Sequence, residues 1–166
     1  MRAEFEPLDR RMRIAVHIRH YIPGRIGGQE RYLRAMARGL ADRGHSLVVF
    51  AQERTFGAVK AWGAQGVELR AVVEEGRATW RQVAGCGCDV LFCPLHMLEP
   101  LASPVPAVVM VPDIQHKFFP EYFPDDELAR RRRGYETGAR RAAVVLRVPS
   151  FRRERWWRDM VWTLGG

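Results

Sequence analysis

Six short apolar runs recur along the chain, and segments with helical periodicity or turn-forming residues separate them. The runs occupy residues 13–18, 46–51, 67–73, 89–93, 107–111 and 143–148. The second run is apolar almost throughout, as expected of a parallel strand that is buried on both faces. Strands that alternate with helices favour a parallel sheet with right-handed crossovers and helices on both sides. We therefore expect an α/β fold, namely a single three-layer domain with a mainly parallel sheet of about six or seven strands.

The overall composition restricts the possible classes of protein. A chain of 166 residues with 47% hydrophobic content can build one core, but it is short for two typical α/β domains. No apolar run is long enough to span a membrane, and no secretory signal is recognisable, so we expect a cytoplasmic location. The net charge of +8 comes almost entirely from arginine. Since no zinc-finger spacing, RNA-recognition motif or basic region with heptads occurs, we expect no nucleic-acid partner.

The three cysteines, Cys86, Cys88 and Cys93, do not form a metal-binding pattern. A second cysteine pair and histidines at zinc spacing are both missing from the sequence. We expect reduced, partly buried thiols and no metal site.

Two adjacent glycines, Gly27 and Gly28, stand between the first strand-like run and a helix that we expect to begin at Gln29 and to end before Gly44. Four apolar residues of that helix follow helical spacing: Leu33, Met36, Ala37 and Leu40. Free N–H groups and the positive end of the helix dipole can hold a phosphate or sugar oxygen at such a turn. The alternative is a tight turn without a ligand, since neither the dinucleotide fingerprint nor the phosphate-loop lysine is present.

A second unusual segment, residues 113–123, follows the fifth run and is expected to be a loop. It contains Asp113, Gln115 and His116, and a histidine near an aspartate can serve as a general base or orient an acceptor hydroxyl. The alternative is that these residues only cap and pin the loop. Four aromatic residues in the same segment either stack on a sugar or hold a lipid tail, or pack beneath the loop as a small satellite cluster: Phe118, Phe119, Tyr122 and Phe123.

Both segments follow strands, so they should lie at the same edge of a parallel sheet, where ligands of such sheets bind. His20, just after the first strand, is expected to face that edge, whereas His17 is expected to be core or strand surface. A further helix is expected to have Asp125 as its N-cap, and a final helix to occupy residues 152–164.

Three stretches of the sequence resemble the N-terminal lobe of family 4 glycosyltransferases, which consist of two facing Rossmann-like lobes. Residues 26–32, with a Gly-His pair at 44–45, look like the family's glycine loop and helix boundary. Residues 111–123, Val-Pro-Asp-Ile-Gln-His-Lys-Phe-Phe-Pro-Glu-Tyr-Phe, are similar to the Pro-Asp-Leu-Gln-His segment of one bacterial subgroup. The Arg-rich helix and strand up to residue 151 are the third stretch, although Pro-Ser-Phe replaces the usual Ser-Glu-Phe.

The resemblance implies transfer of a sugar from a nucleotide-sugar donor to a glycan or lipid-linked acceptor, with retention of configuration favoured and no further cofactor. It assigns to Gly27, Gly28 and Gln29 the loop that contacts the donor phosphates and the acceptor. Catalytic roles would fall to His116 and Asp113. Acceptor binding would involve His20 and Gln115.

The same resemblance divides the chain into a polar extension (1–12), a Rossmann-like domain (13–150) and an Arg/Trp-rich helix (151–166). A donor-binding second lobe is absent from this sequence, so activity is expected to require one. A truncated gene, a decayed copy and one half of a two-chain enzyme, with the second lobe on a separate partner chain, are the three alternatives. The alternative function is a non-catalytic remnant or binding subunit that docks to a partner chain or to an anionic membrane surface. Peripheral contact with the inner face of the membrane is compatible with either function.

Overall fold

The computed structural model of the protein describes residues 10–72, 77–111 and 114–147. The strands are β1 (Arg13–His17), β2 (Ser46–Ala51), β3 (Val67–Ala71), β4 (Val90–Cys93), β5 (Ala107–Val111) and β6 (Val144–Arg147). The helices are α1 (Gly28–Asp42), α2 (Phe56–Lys60), α3 (Arg77–Ala84), α4 (Gln115–Phe118) and α5 (Asp125–Arg141), and short 3₁₀ turns lie at Glu53–Thr55 and Pro120–Tyr122.

All six strands form one parallel sheet in the order β3-β2-β1-β4-β5-β6. This is the strand order of a doubly wound, Rossmann-like domain, and it confirms the predicted three-layer α/β fold. The order reverses between β1 and β4, and the carboxyl ends of all the strands lie at one edge of the sheet. Ligands of this architecture bind at that edge, in the crevice where the order reverses.

Two hydrophobic clusters cover the two faces of the sheet. On one face, Val16 packs with Leu33 and Ala37 of α1 and with Trp62, which follows α2. On the other face, Ala15 belongs to the cluster that contains Val83 of α3. Successive residues of β1 therefore enter different cores, which explains why the strands are apolar on both sides.

Helix α1 begins one residue before the predicted Gln29 and ends before Gly44, as predicted. Gly27 is its N-cap with φ of 51°, and the helix begins at Gly28. At the other end Gly44 has φ of 81°, and its N–H donates to the carbonyl of Ala41 at 2.8 Å. Both positive φ values are ones that glycine adopts without the steric cost of a Cβ, so these two residues fix the length of the helix.

The connection between β4 and β5, residues 94–106, contains no helix. Parallel neighbours usually require a crossover of about a dozen residues that is helical. Here the crossover has the usual length but runs as irregular chain over the sheet edge. Its residues 95–101 supply much of the candidate site.

Several predicted elements differ from those observed. Residues 115–118 and 120–122 form short helical turns rather than loop, because the N–H groups of Lys117 and Phe119 close turns onto Ile114 and Gln115 at 2.8 Å. The predicted N-cap, Asp125, is instead the first residue of α5, and Pro124 precedes it as the cap. The apolar pattern of residues 58–65 predicts a helix there, whereas the observed α2 occupies Phe56–Lys60.

The segment predicted as a final Trp-rich helix (residues 151–166) and most of the N-terminal extension lie outside the described residues. Within the part of the chain that is described, no helix has both the length and the apolar character needed to cross a bilayer.

Candidate functional site

A strained turn directly after β4 places a histidine at the ligand-binding edge. His96 has φ of 72°, and the N–H of Met97 donates to the carbonyl of Leu95 at 2.9 Å, which closes a γ-turn centred on His96. The N–H of His96 is held by the carbonyl of Met110 at 3.2 Å. A positive φ at a residue with a side chain costs free energy, and such strain clusters at functional sites.

The side chain of His96 connects three other segments. Its Nε2 lies 3.0 Å from Nε2 of Gln29, at the start of α1. Because the Gln29 amide nitrogen can only donate, His96 Nε2 accepts and the ring proton lies on Nδ1. The His96 ring stacks on Tyr135 of α5 with 5.6 Å between centroids, and Tyr135 meets His116 of α4 edge-on at 5.1 Å. We call these four residues the Gln29–His116 contact chain.

A second group of polar side chains surrounds a partly buried carboxylate, Glu99. Arg19 donates from Nη1 to Glu99 Oε1 at 3.2 Å. The other carboxylate oxygen lies 3.6 Å from His20 Nε2 and 3.9 Å from His17 Nδ1. These four residues, here called the Glu99 cluster, come from the end of β1 and from the crossover after β4, so the sheet order alone brings them together.

The electrostatics of the Glu99 cluster favour a charged carboxylate beside a neutral buried imidazole. Burial opposes ionisation of Glu99, but contact with His20 and the charges of His17, His20 and Arg19 outweigh it and lower the pKa of Glu99 below its usual value. Burial of His17 lowers the pKa of that imidazole to about 4, although Glu99 acts in the opposite direction. Within the described residues, Nε2 of His17 has no hydrogen-bond partner.

Two adjoining cavities open beside these groups. The larger, of about 700 Å³, lies between residues 97–101 and α5, and the smaller, of about 200 Å³, lies between the start of α1, residues 95–97 and α5. His20, Met97 and Arg130 line both. The volume of the larger cavity is within the range of small-molecule sites in proteins.

Two glycines of α5 allow the helix to approach the crossover closely. A Cβ at Gly138 would lie 3.3 Å from the backbone nitrogen of Leu98, and a Cβ at Gly134 would lie 2.8 Å from the terminal methyl of Met97. These residues are one helical turn apart and share a face of the helix. The wall of the larger cavity therefore depends on α5 having no side chain at either position.

The glycine turn before α1 is open to a ligand. A Cβ built on Gly27 or Gly28 meets no atom within 4 Å, while the N–H groups of Gln29 and Glu30 are already used in turn bonds to Ile26 and Gly27. That leaves Gly27 and Gly28 as the donors which bind no acceptor among the described residues.

Glu30 fixes the conformation of the loop that precedes these glycines. Its carboxylate accepts hydrogen bonds from the N–H of Gly24 at 2.8 Å and from the Tyr21 hydroxyl at 2.9 Å. These bonds, led by the one from Gly24, lower the pKa of Glu30.

The structure places the predicted site residues in different environments. His20 lines both cavities, and 56% of its side chain is exposed. Gln29 lines the smaller cavity, and Gln115 is exposed on α4. His116 is fully buried, and Asp113 lies outside the described residues. The roles assigned to these residues stay predictions.

Most of the aromatic side chains of the 113–123 segment do not pack beneath it as a satellite cluster, which was one of the two alternatives. Phe118, Phe119 and Tyr122 are among the most exposed large hydrophobic side chains, with Tyr122 76% exposed. Phe123 is half-buried, with the guanidinium of Arg131 at 4.6 Å from its ring centroid, and the rings of Phe119 and Tyr122 lie 6.1 Å apart. The turns of α4 and of Pro120–Tyr122 direct the other rings outward, an outcome that residue type alone does not predict.

Three residues of the site, His96, Glu99 and Tyr135, were missed by sequence reasoning. His96 and Glu99 follow the buried strand β4 in a segment, Pro-Leu-His-Met-Leu-Glu, whose polar residues are three apart. Polar residues directly after a buried parallel strand are a usable signal, because such positions reach the ligand-binding edge. Tyr135 carries no comparable signal, since it resembles a core-facing residue of α5.

A scan against models of known protein families and a comparison with curated proteins both found no match to this chain. The function is therefore inferred from the site.

Within the described ranges, no group of three or more His, Cys, Asp or Glu side chains is arranged to hold a metal ion. The three cysteines are buried free thiols, and burial raises the pKa of Cys93 to about 12.

Proposed function

We propose that this chain is the acceptor-side lobe of a family 4 glycosyltransferase, which transfers a sugar from a nucleotide-sugar donor to a glycan or lipid-linked acceptor. The observation that carries the proposal is the Gln29–His116 contact chain. It joins the glycine turn to residues 115–118, the two segments on which the family resemblance mainly depends. Their convergence beside two cavities at the reversal of strand order supports one shared ligand cleft.

On the donor side, the N–H groups of Gly27 and Gly28 bind the pyrophosphate of the nucleotide sugar. Backbone donors at the positive end of a 15-residue helix suit a doubly charged ligand. The open space above both glycines supports close approach of that ligand to the backbone.

On the acceptor side, His20 is the imidazole that contacts the acceptor, since it is exposed and lines both cavities. Glu99 holds the His20 ring in position. His116 is a positioning residue in this proposal, because its buried ring reaches the cleft through Tyr135. Asp113 and Gln115 would orient acceptor hydroxyls from the same segment.

The donor site is tested by titrating the isotope-labelled chain with UDP-glucose and GDP-mannose and following the backbone amide signals. We expect the largest shifts at Gly27, Gly28 and Gln29 for at least one of the two. Replacing Gly28 by Trp fills the open space above the turn and should weaken binding at least tenfold. Gly57→Trp is a matched control, since Gly57 also faces open space but lines neither cavity.

Equal binding by the Gly28→Trp variant and the wild type would overturn the donor-site assignment. The enzymatic part of the proposal requires a separate assay of sugar transfer, with the chain alone and with a donor-binding Rossmann lobe added. Absence of transfer and hydrolysis under both conditions would count against an enzyme.

A second candidate function, a non-catalytic binding subunit, is favoured by the exposed rings of Phe118, Phe119 and Tyr122. Exposed aromatic groups at one site are typical of surfaces that contact a partner. Under this alternative, the Phe119→Ser/Tyr122→Ser double variant loses partner binding while the amide shifts with nucleotide sugar are absent even in the wild type.

A further inference from the structure

The two cavities differ in chemistry although they adjoin. The larger is lined mainly by apolar groups, among them Met97, Leu98, Pro100, Leu101 and Ala129. Leu101 is 44% exposed at this wall, so an apolar side chain is left in contact with water. An apolar wall of this extent gains free energy when a hydrocarbon group replaces that water.

The smaller cavity is more polar, although Ile26, Leu95 and Met97 also line it. Gln29, His96 and Tyr135 of the contact chain line it, together with Arg130 and Arg131. Its side chains offer hydrogen-bond donors and acceptors suited to a hydroxylated or otherwise polar group. A ligand that spans both cavities therefore needs one apolar end and one polar end.

Two arginines of α5 line the larger cavity. Arg130 lines both, and Arg133 lines the larger. Arg130 is paired with Glu127 at 3.4 Å, whereas Arg133 has no acidic partner among the described residues. An arginine beside an apolar cavity without a carboxylate partner suits an anionic oxygen group, which it can bind through two parallel hydrogen bonds.

The acidic residues of the larger cavity leave this positive charge available. Glu99 is already paired with Arg19, and Asp126 lies in the first turn of α5. A third acidic residue, Glu127, is shared between Arg130 and Arg131. The guanidinium of Arg133, which pairs with neither Asp126 nor Glu127 among the described residues, is therefore available to an added anion.

We infer that the joined cavities bind a single amphiphilic molecule, with its hydrocarbon part in the larger cavity and a phosphate-type headgroup at Arg130 and Arg133. The occupant is one molecule taken into the cleft and not the surface of a bilayer, because the apolar groups line a cavity rather than a flat face. The inference concerns binding alone, and it stands whether or not the chain takes part in sugar transfer.

The probe for this inference is dodecyl phosphate below its micelle concentration, measured by calorimetry with the wild-type chain. We expect saturable binding at one site. Dodecyl maltoside, which has the tail without the anion, and inorganic phosphate, which has the anion without the tail, should each bind at least tenfold more weakly.

Three variants locate the site. Arg133→Gln should weaken binding of dodecyl phosphate about tenfold, because a charge-assisted bond is lost. Arg132→Gln is the matched control, since Arg132 is exposed, adjacent in sequence and lines neither cavity. Ala129→Trp places a large ring in the larger cavity and should abolish binding, with circular dichroism used to verify the fold.

Three results would overturn the inference: equal losses for Arg133→Gln and Arg132→Gln, equal binding of inorganic phosphate and dodecyl phosphate, or binding only to vesicles of anionic phospholipid. The last result would identify a membrane surface as the occupant. None of these measurements uses a nucleotide sugar, so their failure is separate from failure of the proposed function.

Discussion

His17 belongs both to the buried part of β1 and to the Glu99 cluster of the site. It ends β1, is buried, and lies 3.9 Å from Glu99. Burial favours its neutral form, so the folded protein holds this imidazole uncharged at neutral pH, while the unfolded chain protonates it near its ordinary pKa of 6.5. The unfolded state therefore binds more protons from His17 between pH 6.5 and about 4.

We predict that the free energy of unfolding falls as pH decreases from 6.5 towards 4, by up to about 1.4 kcal/mol per pH unit from His17. The total contribution is roughly 3 kcal/mol. In the His17→Leu variant this part of the slope should disappear. Urea unfolding at pH 7 and pH 5 measures it.

His20→Gln is the comparison variant for this measurement, because it removes the exposed histidine of the same Glu99 cluster and leaves the buried His17 in place. The two slopes must differ for the assignment to hold. Glu99 does not affect the comparison. Because its pKa is lowered in the folded protein, the stability that it contributes is lost only at a pH below the measured range.

The sequence predicted that His17 is core or strand surface and that His20 faces the ligand-binding edge of the sheet. It did not predict that both histidines lie beside Glu99. Glu99 is about eighty residues away in sequence. No local pattern connects it to β1, and only the pairing of β1 with β4 brings the two segments together. Partly buried ion-pair partners of this kind therefore cannot be predicted from a single sequence.

At the scale of elements, the packing of α5 against the irregular crossover decides the shape of the site. Periodicity predicted α5 itself, with an error of one residue at its cap. The sequence could not predict the conformation of residues 94–106. This segment contains several prolines and apolar residues but no glycine, and such a composition fits several backbone conformations. The close approach at Gly138 then follows from that tertiary arrangement.

We predict that Gly138→Leu destabilises the protein by about 1–3 kcal/mol, because the new side chain must displace the backbone of Leu98. Gly57→Leu, in an exposed position of α2 with no atom within 4 Å of its Cβ, should be neutral or slightly stabilising through better helix propensity. Thermal and urea unfolding of both variants provide the comparison. Similar effects of the two substitutions would show that α5 does not pack closely on the crossover.

At the scale of the whole molecule, the sheet order predicts a gradient of stability. β1 and β4 lie in the centre, whereas β6 is an edge strand in which Val144 and Leu146 remain partly exposed. Strands with two paired edges and two covered faces open only when the entire domain unfolds.

We predict that the amides of β1 and β4 exchange with deuterium most slowly, at rates set by global unfolding, and that β6 exchanges at least tenfold faster. Mass spectrometry of exchanged peptides, or resolved amide signals, measures both. Uniform protection across the six strands would contradict the gradient and would indicate that a further segment covers β6.

The sequence by itself determined the α/β class, all six strands of the described residues to within about two residues and the glycine boundaries of α1. These features depend on local periodicity and on backbone conformations that favour glycine. Only the tertiary structure decided the strand order, the Glu99 cluster, the Gln29–His116 contact chain and the cavities beside α5. Each of these joins segments that are distant in the chain, and the packing that joins them is a property of the assembled sheet rather than of any one stretch.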